Sequence, residues 1–112
     1  MLGTPSYMSP EQLRGVTNLD GRSDIFSLGV MFYQLLCGDL PFKGDSMATL
    51  MFRITSEKHT SMTEIRPALT KKAPESIPIL DKVLEKEPEN RYQTGNEFAA
   101  DLRKCLKTIK KK

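Results

Sequence analysis

Across residues 25–37 the chain places Ile25, Phe26, Leu28, Val30, Met31, Phe32, Tyr33, Leu35, Leu36 and Cys37 with almost no polar face between them. A helix that is apolar all round has to be enclosed by the rest of a fold, so this stretch is expected to be a central buried pillar. Its ends carry their own signals. Asp20 or Ser23 can cap the N-terminus, Gly38 can take the left-handed conformation past the last turn, and Pro41 forbids continuation. The run falls short of the about 20 residues that cross a bilayer, so a buried helix is preferred to a membrane span.

The flanking patterns predict shorter helices. Ser9, Pro10 and Gln12 form a compact start signal: an N-cap, a proline at the first helical position and a capping box, with a stop at Gly15. Nothing before Ser9 reads as helical. Met47, Leu50, Met51 and Ile54 recur at i, i+3, i+4 and i+7, one face of a helix that Asp45 can cap and that runs to Ser56, with Phe52 off the stripe. Residues 57–74 turn polar and hold two prolines, which predicts a long surface loop with a single turn near residues 62–65. Ser76 is expected to cap a further helix that tolerates Pro78 in its first turn, faces Leu80, Val83 and Leu84 inward and ends at Pro88. Thr94 to Glu97 is a second capping box, opening a helix with Phe98, Leu102, Cys105, Leu106 and Ile109 on one stripe. No period-two run is long enough for a strand. The expected class is all-α.

Composition narrows the function classes. At 112 residues, 38% hydrophobic and 28% charged, the chain suits one globular domain or a piece of a larger one. The net charge of +3 is mild and concentrated near the C-terminus, in Arg103, Lys104, Lys107 and Lys110 to Lys112, which makes no case for nucleic acid. Cys37 and Cys105 have no metal-ligand spacing and read as two small core residues of a reducing compartment. The N-terminus has neither a basic start nor an apolar core of signal-peptide length, so a cytoplasmic chain is expected.

Three motifs stand in order along this frame: GTPSYMSPEQ from Gly3 to Gln12, DIFSLG from Asp24 to Gly29, and PENRYQT from Pro88 to Thr94. Together they resemble the C-terminal part, the C-lobe, of a protein kinase domain, most closely that of bacterial serine/threonine kinases of the eukaryotic type. The resemblance covers about residues 1–106 and leaves residues 107–112 as a basic tail. It implies a set of helices packed round the buried pillar.

The resemblance also implies roles. Gly3, Thr4, Pro5, Tyr7 and Met8 correspond to the loop at the end of the activation segment that receives a protein substrate, with Pro5, Met8 and Met1 beside an apolar pocket and Thr4 bonded to the catalytic loop. Glu11 matches the glutamate of the A-P-E motif, with Ser9 in place of the alanine, and Arg91 matches the arginine that pairs with it. Such a pair joins a carboxylate to a planar guanidinium through two parallel hydrogen bonds, which a lysine does less well. Asp24 corresponds to an anchor for the backbone of the catalytic loop; without the resemblance it is a carboxylate favoured by the helix dipole. The helix carrying Met47, Leu50, Met51 and Ile54 matches a docking helix for substrates and regulators, though methionines at these positions serve equally as core.

The chemistry of the family needs parts that are not in these 112 residues. No three glycines have the G-x-G-x-x-G spacing, the single histidine, His59, is not part of H-R-D, and no D-F-G occurs. The expectation is therefore a kinase fragment that holds neither ATP nor Mg²⁺ itself, although both serve the full-length family. Its partners would be a protein substrate or the missing half of the kinase. A rival expectation is a stand-alone protein-binding module or pseudokinase-like scaffold.

Overall fold

The computed structural model describes residues 5–111, with side chains as far as Thr108. Among the described residues seven α-helices succeed one another: α1 (Pro10–Leu13), α2 (Gly21–Cys37), α3 (Met47–Ser56), α4 (Met62–Ile65), α5 (Pro67–Lys72), α6 (Ser76–Val83) and α7 (Gly95–Lys111). Short 3-10 turns precede α1 (Pro5–Tyr7) and α7 (Pro88–Asn90), and no strand occurs among the described residues. The fold is all-α, as the hydrophobic periodicity requires.

The pillar is α2. Asp20 caps it by accepting a hydrogen bond from the Arg22 N–H at 2.9 Å, and Gly38 closes it at φ 75°, a conformation that costs a side-chain-bearing residue about 1–2 kcal/mol. Ser23, the other candidate cap, lies inside the first turn and turns to a different partner. Phe26, Val30 and Tyr33 are completely buried. Phe26 stacks on Phe42 beyond the helix, with ring centres 6.2 Å apart, and Phe32 meets Phe98 of α7 edge to face. Helix α6 crosses α2 where Gly29 lies against Val83. The pillar is not enclosed on every side, because Leu28, Met31 and Leu35 remain exposed, Leu35 at 85%. That line is the part of the apolar surface for which the described residues provide no cover.

Several local expectations shift. Helix α3 is capped by Ser46, whose hydroxyl accepts from the Thr49 N–H at 3.1 Å, one residue later than the Asp45 cap expected from sequence. Residues 57–74 are not a surface loop throughout: α4 and α5 occupy much of the segment, and His59 and Met62 are buried. Pro67 starts α5 because a first-turn proline lacks only a donor that the helix leaves free anyway. Ser76 does not cap α6; it is buried within the first turn and donates to the Ala73 carbonyl at 2.6 Å. The same helix ends at Val83, well before Pro88. At α7 only half of the capping box forms as expected. Thr94 accepts from the Glu97 N–H at 3.1 Å, but the Glu97 carboxylate reaches the N–H of Gln93 instead. On its stripe Phe98 and Cys105 are buried while Leu106 is 51% exposed; the side chain of Ile109 lies outside the described residues. Cys37 and Cys105 are both buried, and neither is in a disulfide.

The crossing of α2 and α6 sets a strict size limit. A Cβ on Gly29 would lie 2.6 and 2.8 Å from the two methyls of Val83, a buried, β-branched side chain with little rotamer freedom. Gly29→Ala is therefore expected to destabilise by about 1–3 kcal/mol despite the better helix propensity of alanine. Urea unfolding should show a lower midpoint, and adding Val83→Ala should recover part of the loss, whereas Val83→Ala alone should only weaken the fold.

Candidate functional site

At the centre of the site, Glu11 of α1 meets Arg91 beyond the second 3-10 turn. The capping box of Ser9 and Gln12 fixes α1: the Gln12 N–H donates to the Ser9 hydroxyl at 3.3 Å, and the Gln12 side-chain Oε1 accepts from the Ser9 N–H at 2.8 Å. Glu11 is thereby aimed inward, where it is 6% exposed. Arg91 Nη2 donates to Glu11 Oε1 at 2.6 Å and Nη1 to Oε2 at 2.7 Å, the two-pronged geometry peculiar to arginine.

The remaining donors of Arg91 are also used. Nε donates to the Glu85 carbonyl at 2.7 Å, Nη1 to the Arg22 carbonyl at 2.9 Å and Nη2 to the Lys86 carbonyl at 3.0 Å. Thus all five N–H groups of a guanidinium that is 1% exposed have acceptors. Its face lies 4.9 Å from the Phe26 ring centre. Ser23 adds a third donor to the carboxylate, its hydroxyl 2.6 Å from Glu11 Oε2. Burial pushes the Glu11 carboxyl upward, but the hydrogen bonds from Arg91 and Ser23 outweigh it and hold the group at about 2.

The segment that leads into α1 is held on the pillar. Tyr7 is half-buried; its hydroxyl donates to the side chain of Gln34, and its carbonyl accepts from the Ser27 hydroxyl at 2.5 Å. Pro5 and Met8 are half-buried on the same turn, closed by the Met8 N–H on the Pro5 carbonyl at 3.0 Å. Met1, Gly3 and Thr4 lie outside the described residues. Beside Tyr7 an open apolar hollow of about 450 Å³ is lined by Met31, Gln34 and Leu35. Asp24 is exposed in the first turn of α2 and has no hydrogen-bond or ionic partner among the described residues.

On α3 the four stripe residues divide. Leu50 and Ile54 are buried in the core, Met51 is half-buried, and Met47 is 43% exposed. Leu50 and Ile54 are therefore scaffold, unavailable to any partner. The apolar groups that α3 presents outward are Met47 and Phe52, the latter off the predicted stripe and 57% exposed.

Sequence reasoning passed over two further groups. His59 is buried with Nε2 3.0 Å from Asp81 Oδ1 and its ring edge-on to Tyr33 and Phe42. Burial lowers its pKa, with Asp81 opposing. Lys86 places Nζ 4.0 Å from the Phe42 ring centre and on two carbonyls of α3, and burial pulls it down to about 8. Neither is signalled by local sequence, because both depend on contacts between distant elements. Among the described residues no three or more His, Cys, Asp or Glu side chains cluster as metal ligands would.

A family model described as "Protein kinase domain" matches residues 1–103. The chain belongs to the protein kinase family. It is 41% identical over 102 residues to the serine/threonine-protein kinase PknB of Mycolicibacterium smegmatis, covering 91% of this chain and 16% of that protein. Identity to PknB of Mycobacterium tuberculosis is 39% over 102 residues, with the same coverage. A protein of Clostridium perfringens named "Probable serine/threonine-protein kinase CPE1738" is 38% identical over 108 residues, covering 96% of this chain and 15% of that protein. The chain thus spans about one sixth of the length of these kinases. Among the described residues of this kinase chain, no helix is long and apolar enough to cross a membrane.

The ion pair generates the sharpest test. Arg91→Ala leaves a buried carboxylate unpaired and should cost about 3–5 kcal/mol, far beyond an ordinary surface change. Arg91→Lys keeps the charge but loses the paired geometry and should retain only part of the stability. A double-mutant cycle with Glu11→Ala should show clear coupling; strict additivity would mean that the contact carries no energy. Acid should act through the same group. The folded Glu11 pKa lies below its ordinary value of 4.5, so its contribution is complete above about 4.5 and is lost as pH falls toward about 2. His59 should weaken the fold earlier. Its folded pKa lies below 6.5, so stability is full above that value and declines as pH falls beneath it. Denaturant midpoints measured from pH 7 to pH 5 should fall in the wild type and fall less in His59→Gln.

Proposed function

We propose that this chain is the substrate-facing, C-terminal portion of a serine/threonine protein kinase domain, and that alone it transfers no phosphate. The observation that carries this reading is the uncovered side of α2. Leu28, Met31 and Leu35 are exposed in a row, Asp24 nearby has no partner among the described residues, and the apolar hollow beside Tyr7 stands open. In the family this is where the catalytic loop and the remainder of the lobe sit. Residues 3–8 then form the loop that receives the protein substrate, the Glu11–Arg91 pair fixes that loop to the lobe, and Asp24 holds the backbone of the catalytic loop.

ATP and Mg²⁺ do not fit the groups present. The sequence contains no glycine-rich phosphate loop, no H-R-D and no D-F-G, and no carboxylate cluster is available among the described residues. Phosphoryl transfer in this family is largely a matter of positioning and charge stabilisation, so a chain without these parts contributes docking and scaffold only.

Expression of residues 1–112 alone tests the reading. Calorimetry with millimolar Mg-ATP should give no binding heat, and the exposed row on α2 should make the chain bind a hydrophobic dye or self-associate. Co-expression with a separate chain carrying the G-x-G-x-x-G, H-R-D and D-F-G segments of a related kinase should suppress dye binding. A monodisperse monomer that unfolds sharply, binds no dye and ignores the second chain would instead establish an independent binding module.

A further inference from the structure

Helix α3 ends without a cap of its own. Its C-cap residue, Glu57, is extended at φ −114° rather than left-handed, and no glycine follows to close the last turn. Beside the Glu57 N–H on the Arg53 carbonyl, three of the last four carbonyls, those of Arg53, Ile54 and Thr55, accept from side chains elsewhere in the chain. Lys86 Nζ donates to the carbonyls of Ile54 at 2.6 Å and Arg53 at 3.1 Å, and Arg14 Nη2 donates to that of Thr55 at 2.9 Å. Cations at a helix C-terminus are favoured by its dipole, and here two of them arrive from separate segments.

Both cations are rooted at the buried ion pair. Arg14 is the C-cap residue of α1, three positions after Glu11, and its Nη1 lies 3.4 Å from Glu87 Oε1. The backbone of Lys86 is itself an anchor of Arg91, which donates to the Lys86 carbonyl at 3.0 Å and to its neighbour Glu85 at 2.7 Å. The Lys86 ammonium lies over Phe42, which stacks on Phe26, the same ring that faces the Arg91 guanidinium. Charge-assisted hydrogen bonds, linked through the covalent frame of Lys86, therefore join the end of α3 to Arg91 and so to Glu11.

We propose that Arg14 and Lys86 are positioning residues, a two-cation clasp that couples the setting of α3 to the Glu11–Arg91 pair and so to the segment that leads into α1. A partner loading the Met47 and Phe52 side of α3 would be felt at that segment, and the reverse. That consequence rests on the kinase reading proposed above, but the relay itself is a property of the fold and is tested apart from ATP binding and dye binding. Physical warrant for such coupling is a perturbation at one end that is read at the other only while the link is intact.

Hydrogen exchange on the whole protein supplies the test. Lys86→Met keeps an unbranched apolar side chain and removes the ammonium. Amides in the last turn of α3 and at Glu57 should then exchange about tenfold faster, in keeping with the loss of a charged hydrogen bond, while those of α2 at Val30 and Tyr33 stay as they were. Lys86→Arg, which restores a cation, should restore protection. Glu11→Gln should also speed exchange at the end of α3, and this increment should vanish once Lys86→Met and Arg14→Met are both present. If Glu11→Gln does not fold, Ser23→Ala perturbs the same carboxylate by removing one donor. Equal acceleration in α2 and α3, no acceleration at α3, or an undiminished Glu11→Gln effect without the clasp would each overturn the proposal.

Discussion

A carboxylate and a guanidinium taken out of water need full compensation, and the meeting of Glu11 with Arg91 shows what that demands. Two hydrogen bonds join the charges, Ser23 adds one to the carboxylate, and three backbone carbonyls from residues 22, 85 and 86 accept the other donors of the arginine. A buried pair with so complete a shell is costly to break, although its net contribution relative to an apolar replacement is modest. Its role is therefore specification more than raw stability. It fixes where α1 sits, how the chain enters α2, and which way the turn before α7 faces.

Around that fixed point the apolar packing follows from α2. The completely buried Phe26, Val30 and Tyr33 gather Phe42 and the helices α6 and α7, and the close approach at Gly29 allows α6 to lie almost on the backbone of the pillar. Polar contacts then tie down what packing alone leaves free: Tyr33 donates to the Thr60 carbonyl at 2.6 Å, and Tyr92 to Asp101 at 2.8 Å. The exposed row from Leu28 to Leu35 is the one apolar surface of α2 that these elements do not reach.

What could be read from the sequence was whatever depends on neighbours in the chain. The capping box at Ser9, the left-handed Gly38 and the all-apolar run of α2 are local codes, and the fold follows them. The site was accessible only through motif order: nothing in the spacing of Glu11 and Arg91 indicates that residues 80 positions apart share a hydrogen bond. Local polarity misled where tertiary contacts prevail. Residues 57–74 look like a loop because their Thr and Lys residues face solvent, yet His59 and Met62 go inside and α5 forms behind a first-turn proline. The stripe on α3 was too generous for a related reason, since period alone cannot tell a face packed on the core from one half-open to water.

The same separation of 80 positions has a consequence for how the molecule is made. A contact between such distant residues closes a long loop, and the entropy of that closure is met only after the intervening helices have begun to assemble. On the ribosome α1 emerges ahead of residue 91 and cannot be seated on it until that residue has left the tunnel. The segment that leads into α1 is thus made well before the residue that fastens it, so its final geometry records whether the chain between has folded correctly.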